Sequence, residues 1–204
     1  MKEAITLKGL LLDNTRRDCR NPVLPWKFKM VLALKLPSSF LQLLQTQWIA
    51  PRFSADTVHF LLQPTDQKPD VSRPFVSLSF ESFSSSGRSS QAPSSKEANV
   101  AKVVKEALLE LGIMLLEIWH EMTLEERFAL PAELTMNQYV RQAWMLEWLD
   151  DVNNPPPDLY HKAVSHCVAR VTDVRPGLPQ WSDMKLWKAV CEGVVEPLSK
   201  ISNI

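Results

Sequence analysis

The sequence predicts a mainly α-helical domain that carries a small β-hairpin. Three observations predict it. Apolar residues recur at spacings of three and four over most of the chain. Two short runs between residues 57 and 80 are β-branched, aromatic or alternating. The most apolar run, Ala107 to Trp119, is hydrophobic nearly all round, the pattern of a helix with no solvent face.

The elements follow in order. Residues 1–24 read as a short helix or turn carrying Leu7, Leu10, Leu11 and Leu12, then a polar loop ending at Asn21-Pro22. Pro25 suits the first position of a helix running to about Gln45. Its apolar stripe is Phe28, Val31, Leu32, Leu36, Phe40, Leu43 and Leu44, and Pro37 predicts a kink or a junction of two helices. Thr57 to Leu62 and Phe75 to Phe80 read as two strands. The second alternates Val76, Leu78 and Phe80 with Ser77 and Ser79, and a polar, proline-bearing connection joins the pair. Residues 81–98, rich in serine, bury too little apolar surface to order themselves and read as a flexible loop.

Helices fill the remainder. One spans Val100 to Glu121 and is buried from Leu108 onward. Thr123-Leu124-Glu125-Glu126 is a capping box for a short helix ending before Pro131. Thr135 can cap a helix to about Asp150, and Asp158 the next, with Tyr160, Ala163, Val164, Cys167, Val168 and Val171 on one face. Ser182 can cap the last, with Met184, Trp187, Cys191, Val194, Val195 and Leu198 inward. Asn153-Asn154-Pro155-Pro156-Pro157 reads as a stiff spacer.

The chain's 204 residues suit a single domain, 1–204, large enough to bury a core. Twenty-three basic residues balance twenty-three acidic ones, so no overall field favours nucleic acid as a partner. Cys19, Cys167 and Cys191 form no CxxC pair. Cys167 and Cys191 lie at apolar helical positions and read as buried free thiols in a reducing compartment. The N-terminus lacks a signal peptide's apolar core, and the 107–119 run holds Glu110 and Glu117 and is too short to span a bilayer. The expectation is a soluble, cytoplasmic protein.

Chemistry-bearing motifs fail on spacing. His161 and His166 are about 140° apart around a helix and cannot converge on one metal ion. Trp119-His120-Glu121 begins like HExxH, but Leu124 holds the second histidine position. Gly9, Gly87, Gly112, Gly177 and Gly193 form no phosphate-cradling loop, and no GxSxG is present. No cofactor is expected. Trp144 and Trp148, four apart, read as helix packing before partner surface. Glu110 and Glu117, seven apart, share a helix face. They are open to two readings: a polar seam paired inside the domain, or a receptor for a basic partner.

The order of elements resembles a protein-kinase C-terminal lobe with the N-terminal lobe absent. Leu111-Gly112-Ile113-Met114-Leu115-Leu116-Glu117-Ile118 carries the resemblance best: Gly112 followed five residues on by Glu117 resembles the kinase buried helix, although Ala107 stands where kinases have aspartate. More narrowly, the chain resembles a fungal kinase-like family of unknown function. That family is associated with HeLo-type, or prion-inhibition, heterokaryon-incompatibility proteins. The matching stretches are 6–11, 34–43 with Trp48-Ile49, 57–60, 74–80 and 194–198.

Carried onto this chain, the resemblance implies a degenerate site. The catalytic triplet falls on Ala50-Pro51-Arg52, the magnesium asparagine on Thr57 (or on Asp56, after a shift of one residue), and the metal-binding triplet on Ser79-Phe80-Glu81. The acids and amide that phosphoryl transfer needs are missing. The implied protein is no enzyme but a pseudokinase-like interaction or regulatory module in fungal self/non-self recognition or cell death. Its implied partners are proteins, including the missing lobe or a HeLo-type region. An uncovered lobe surface predicts an apolar patch near Trp48, Phe53 and Phe60. The alternatives are a highly diverged ATP-dependent phosphotransferase and a helical scaffold unrelated to kinases.

Overall fold

A computed structural model describes residues 3–15, 24–44, 53–63, 69–77, 93–129, 137–173 and 184–202. The chain is mainly helical with a small antiparallel sheet. Strand β1, Ala4–Thr6, leads into helix α1, Leu7–Thr15, and α2 spans Trp26–Leu44. Strands β2, Val58–Leu61, and β3, Phe75–Val76, come next. Helices α3, Pro93–His120, α4, Leu124–Phe128, α5, Gln138–Leu149, and α6, Asp158–Asp173, follow. Helix α7, Met184–Val190, passes through a π-helical turn, Cys191–Val195, into α8, Glu196–Ser202.

The expected hairpin is present but gains a third strand. Strand β2 lies in the centre, with Ile5 opposite Phe60 on one side and Val58 opposite Val76 on the other. Three residues are too few to display a period of two, so Ala4–Thr6 did not read as a strand. Thr6 then ends it: its Oγ1 accepts the Gly9 N–H at 2.8 Å and starts α1.

Helix α2 runs as one helix through Pro37, where a kink or junction was predicted. Proline removes the amide that would bond the Ala33 carbonyl, yet the helix continues; one residue on, Ser38 Oγ donates to the Leu34 carbonyl at 2.8 Å, a back-bond that helices accommodate by bending. Leu32, Leu36 and Phe40 are buried as their spacing implies, but Phe28 is 44% exposed. Spacing does not reveal where a helix end runs past what covers it.

Helix α3 starts at Pro93, seven residues before the predicted Val100. Residues 93–98, assigned to the flexible loop, are therefore helical; proline suits a first helical position and the polar residues after it do not oppose a helix. The rest of that loop, 81–92, lies outside the described residues. From Leu108 to Ile118 almost every side chain of α3 is buried, as predicted. Helices α2, α5 and α6 pack around it. Gly112 makes the closeness possible: a Cβ there would lie 2.2 Å from Met145 Cε of α5 and 3.1 Å from Cys167 Cβ of α6.

The Thr123 capping box is formed in full. Helix α5 is capped by Asn137, whose side chain accepts the Tyr139 and Val140 N–H groups, rather than by Thr135, which lies outside the described residues. In α6, Tyr160, Ala163, Val164, Cys167 and Val168 are buried as predicted, and Tyr160 donates to the Leu115 carbonyl at 2.6 Å. The last predicted helix is instead two α-helices joined by the π turn. The π turn shifts the period by one residue, and Met184, expected inward, is 69% exposed at the start of α7.

The predicted apolar patch also needs correction. Phe53 and Phe60 are core residues, and Phe53 meets Phe40 of α2 edge-to-face at 5.7 Å. Helix α2 lies against the Phe53 ring, and Phe60 is enclosed in the central strand of the sheet. Trp48 lies outside the described residues.

Gly193, inside the π turn, faces the His166 imidazole so closely that a Cβ would lie 2.3 Å from ring atoms. A planar ring cannot bend away as a methionine end can. Gly193→Ala therefore lowers stability by about 1–3 kcal/mol through overpacking, measured as a lower urea midpoint at unchanged m-value.

Candidate functional site

The polar residues that α3 carries into the interior form the best-defined constellation. Its geometry begins with helical spacing: Glu110 and Glu117 are two turns apart on one face. Arg141 of α5 meets the first. Its Nε and Nη2 donate to both oxygens of Glu110 at 2.9 and 2.8 Å, a bidentate pair, and its Nη1 donates to Glu125 Oε1 of α4 at 3.0 Å. Lys8 of α1 extends the chain of charges, 4.0 Å from Glu125 and 3.5 Å from Asp56. Burial alone would lower the Arg141 guanidinium, but Glu110 and Glu125 outweigh it and hold the group above its ordinary value.

Glu117 lies deeper. Its residue is 3% exposed, and Oε1 accepts the Leu124 N–H, the first of α4, at 3.0 Å. Oε2 is fully enclosed and has no hydrogen-bond partner among the described residues. Burial pushes this carboxyl up to about 8; the Leu124 N–H opposes the rise, and Glu125 and Glu110 add to it. Glu117 is therefore protonated at neutral pH.

A second group surrounds the end of α3. Lys29 of α2 pairs with Glu121 at 2.8 Å, donates to the Trp119 carbonyl at 2.9 Å and lies over the Trp119 ring. Trp119 is braced further by Trp26, edge-on at 5.5 Å, and its Nε1 donates to the Asn154 carbonyl of the proline-bearing spacer. His120 stacks on Trp148 at 4.9 Å, and burial pulls its imidazole down to about 4, so it stays neutral.

Of the residues the kinase comparison singled out, Gly112 and Glu117 both lie in the buried part of α3. Thr57 sits before β2, where its hydroxyl donates to the Ser54 carbonyl and accepts the Ser54 N–H, both at 3.0 Å. That hydroxyl stabilises its own turn. Arg52, Ser79, Phe80 and Glu81 lie outside the described residues. Among the described residues no three His, Cys, Asp or Glu side chains gather about one point for a metal ion. Cys167 is a buried free thiol, pushed up to about 12 by burial, whereas Cys191 is only half-buried. No described helix is long and apolar enough to cross a membrane.

Arg141 and Lys29 were not found from the sequence, although a signal exists for each. Arg141 shares its spacing with buried Met145, Trp148 and Leu149, and Lys29 with Ala33, Leu36 and Phe40. A cation on an apolar stripe marks a buried ion pair.

The fold and this seam define a mainly helical domain in which Glu110, Glu121 and Glu125 are answered by its own cations. The chain belongs to the family described as Domain of unknown function (DUF7580), which it matches over residues 1–203. Among curated proteins and among solved structures, nothing matches it.

Replacing Arg141 leaves Glu110 and Glu125 facing each other without their cation. Since all three side chains are 13–25% exposed, the loss falls below that of a fully buried pair. Arg141→Met costs about 2–3 kcal/mol, read from urea unfolding. Adding Glu110→Gln to that background restores part of the loss.

Proposed function

We propose that this domain is a non-catalytic, pseudokinase-like interaction or regulatory module. The observation that carries this reading is how its acids are used. Glu110 and Glu125 grip Arg141, Glu121 grips Lys29, and Glu117 is buried and neutral. Phosphoryl transfer requires carboxylate and amide oxygens held open for magnesium and its nucleotide. Here the acids brought together around α3 serve packing instead.

The sequence's resemblance to a kinase C-terminal lobe supplies the pseudokinase-like part of the reading. Its resemblance to the fungal kinase-like family extends it to self/non-self recognition or cell death, with a HeLo-type region or an N-terminal lobe as protein partner. An exposed aromatic side chain supports a protein partner: Trp26 is 51% exposed while braced against Trp119.

Thermal unfolding with millimolar Mg-ATP tests the non-catalytic part. A ligand of the folded state raises the melting temperature by mass action. No rise is expected; a saturable rise that requires magnesium overturns the reading and favours a diverged phosphotransferase. For the partner, a HeLo-type region added to the labelled domain is expected to shift the Trp26 indole resonance, and an unperturbed spectrum argues against that partner.

A further inference from the structure

Residues 121–129 are built under constraint. Glu121 and Ala129 bracket α4, and both have left-handed backbones, φ 55° and 47°, without being glycine. Each such residue holds a backbone conformation that L side chains disfavour. The five residues of α4 are too few to hold a helix by themselves. The segment therefore keeps its shape through contacts with the rest of the fold. Arg127 meets Asp151 at 2.9 Å and Phe128 stacks on Trp144 at 5.8 Å. Deepest of all, the Leu124 side chain is wholly buried and its N–H ends on Glu117.

That last contact differs in kind from the others. Among the described residues, one oxygen of the Glu117 carboxyl receives a single N–H and the other is enclosed without a partner. A neutral carboxyl tolerates this. A carboxylate does not: a buried charge needs several donors or water. The groups acting on it are Glu110 on α3, Glu125 on α4 and Arg141 on α5, and Arg141 is already engaged by both glutamates. From α6, Tyr160 and Cys167 meet α3 at Leu115 and Gly112 instead. From α2, Lys29 is bound to Glu121 and the Trp119 carbonyl. The nearest route to a solvated carboxylate is for α4 to swing off its two hinges and admit water.

We propose that residues 121–129 form a latch that closes only while Glu117 carries its proton and opens when that carboxyl ionises, exposing Leu124 and the α3 surface beneath it. The latch stands independently of the kinase-like reading.

The direction with pH follows. The closed-state carboxyl is raised from its ordinary 4.5 to about 8. The stability of the closed form is thus complete below the ordinary value, declines as pH rises above it, and is lost as pH passes through about 8. The latch is closed at neutral pH and opens under mildly alkaline conditions.

Hydrogen exchange of the whole chain across that range, corrected for the intrinsic pH dependence, reads the latch directly. Between the ordinary 4.5 and about 8, protection of amides 124–129 is expected to fall about tenfold per pH unit relative to amides of α3 and α6, and to level off above about 8. Glu117→Gln, which keeps the shape and cannot ionise, is expected to hold protection constant. Thr123→Ala loses the cap and is expected to raise exchange at every pH with the wild-type slope. Should Glu117→Gln not fold, the carbon resonance of the Glu117 carboxyl in the wild-type chain follows the same ionisation, with an expected midpoint near 8. A midpoint near the ordinary carboxyl value, flat protection in the wild type, or parallel loss of protection in α6 would each overturn the proposal.

Discussion

Helix α3 is enclosed on its flanks, so every polar atom it carries inward must be answered by another part of the same chain. This constraint governs the interior. Glu110 calls for a cation, and α5 supplies Arg141. The backbone at Trp119 calls for a donor, and α2 supplies Lys29. The Leu115 carbonyl already serves its helix and also accepts the Tyr160 hydroxyl of α6. Each answer comes from a different neighbouring helix, and together they set where α2, α5 and α6 lie against α3. Hydrophobic burial drives the helices together, while these bonds select one relative placement among many that would bury similar area.

Glu117 is the place where the answer is incomplete. Among the described residues it receives one backbone N–H, so the group keeps its proton instead of gaining a counter-charge. A glutamine could fill the same space at less electrostatic risk. A carboxyl in this position links the packing of α4 to the proton concentration, and the left-handed residues at both ends of α4 make that segment the part of the region able to respond. In the same interior the acids that meet Arg141 and Lys29 serve structure.

Much of the helical frame was legible because long helices report themselves through period. The buried stretch of α3, the face of α6 and the capping box at Thr123 read correctly from spacing and from one four-residue signature. Short or terminal features did not. Strand β1 is three residues long and exists through pairing with β2. Phe28 and Met184 share the period of buried neighbours but lie at helix starts. The π turn at Cys191–Val195 shifts a face by one residue, which no periodicity count detects. The resemblance to a kinase lobe predicts an uncovered patch at Phe53 and Phe60, whereas both are buried, Phe53 against Phe40 of α2. Within the candidate site, Glu110 and Glu117 were legible as a shared face, but their different fates were not.

What this sequence determines by itself is the inventory and local order: which segments are helices, which faces are apolar, and that two glutamates point the same way from the most buried one. Tertiary structure alone decided that Glu110 meets a guanidinium and Glu117 meets a lone amide. The reason is physical: the state of a buried carboxyl depends on solvent exclusion and on charges contributed by segments distant along the chain. Distances across the fold set those quantities, and residue spacing within a helix does not.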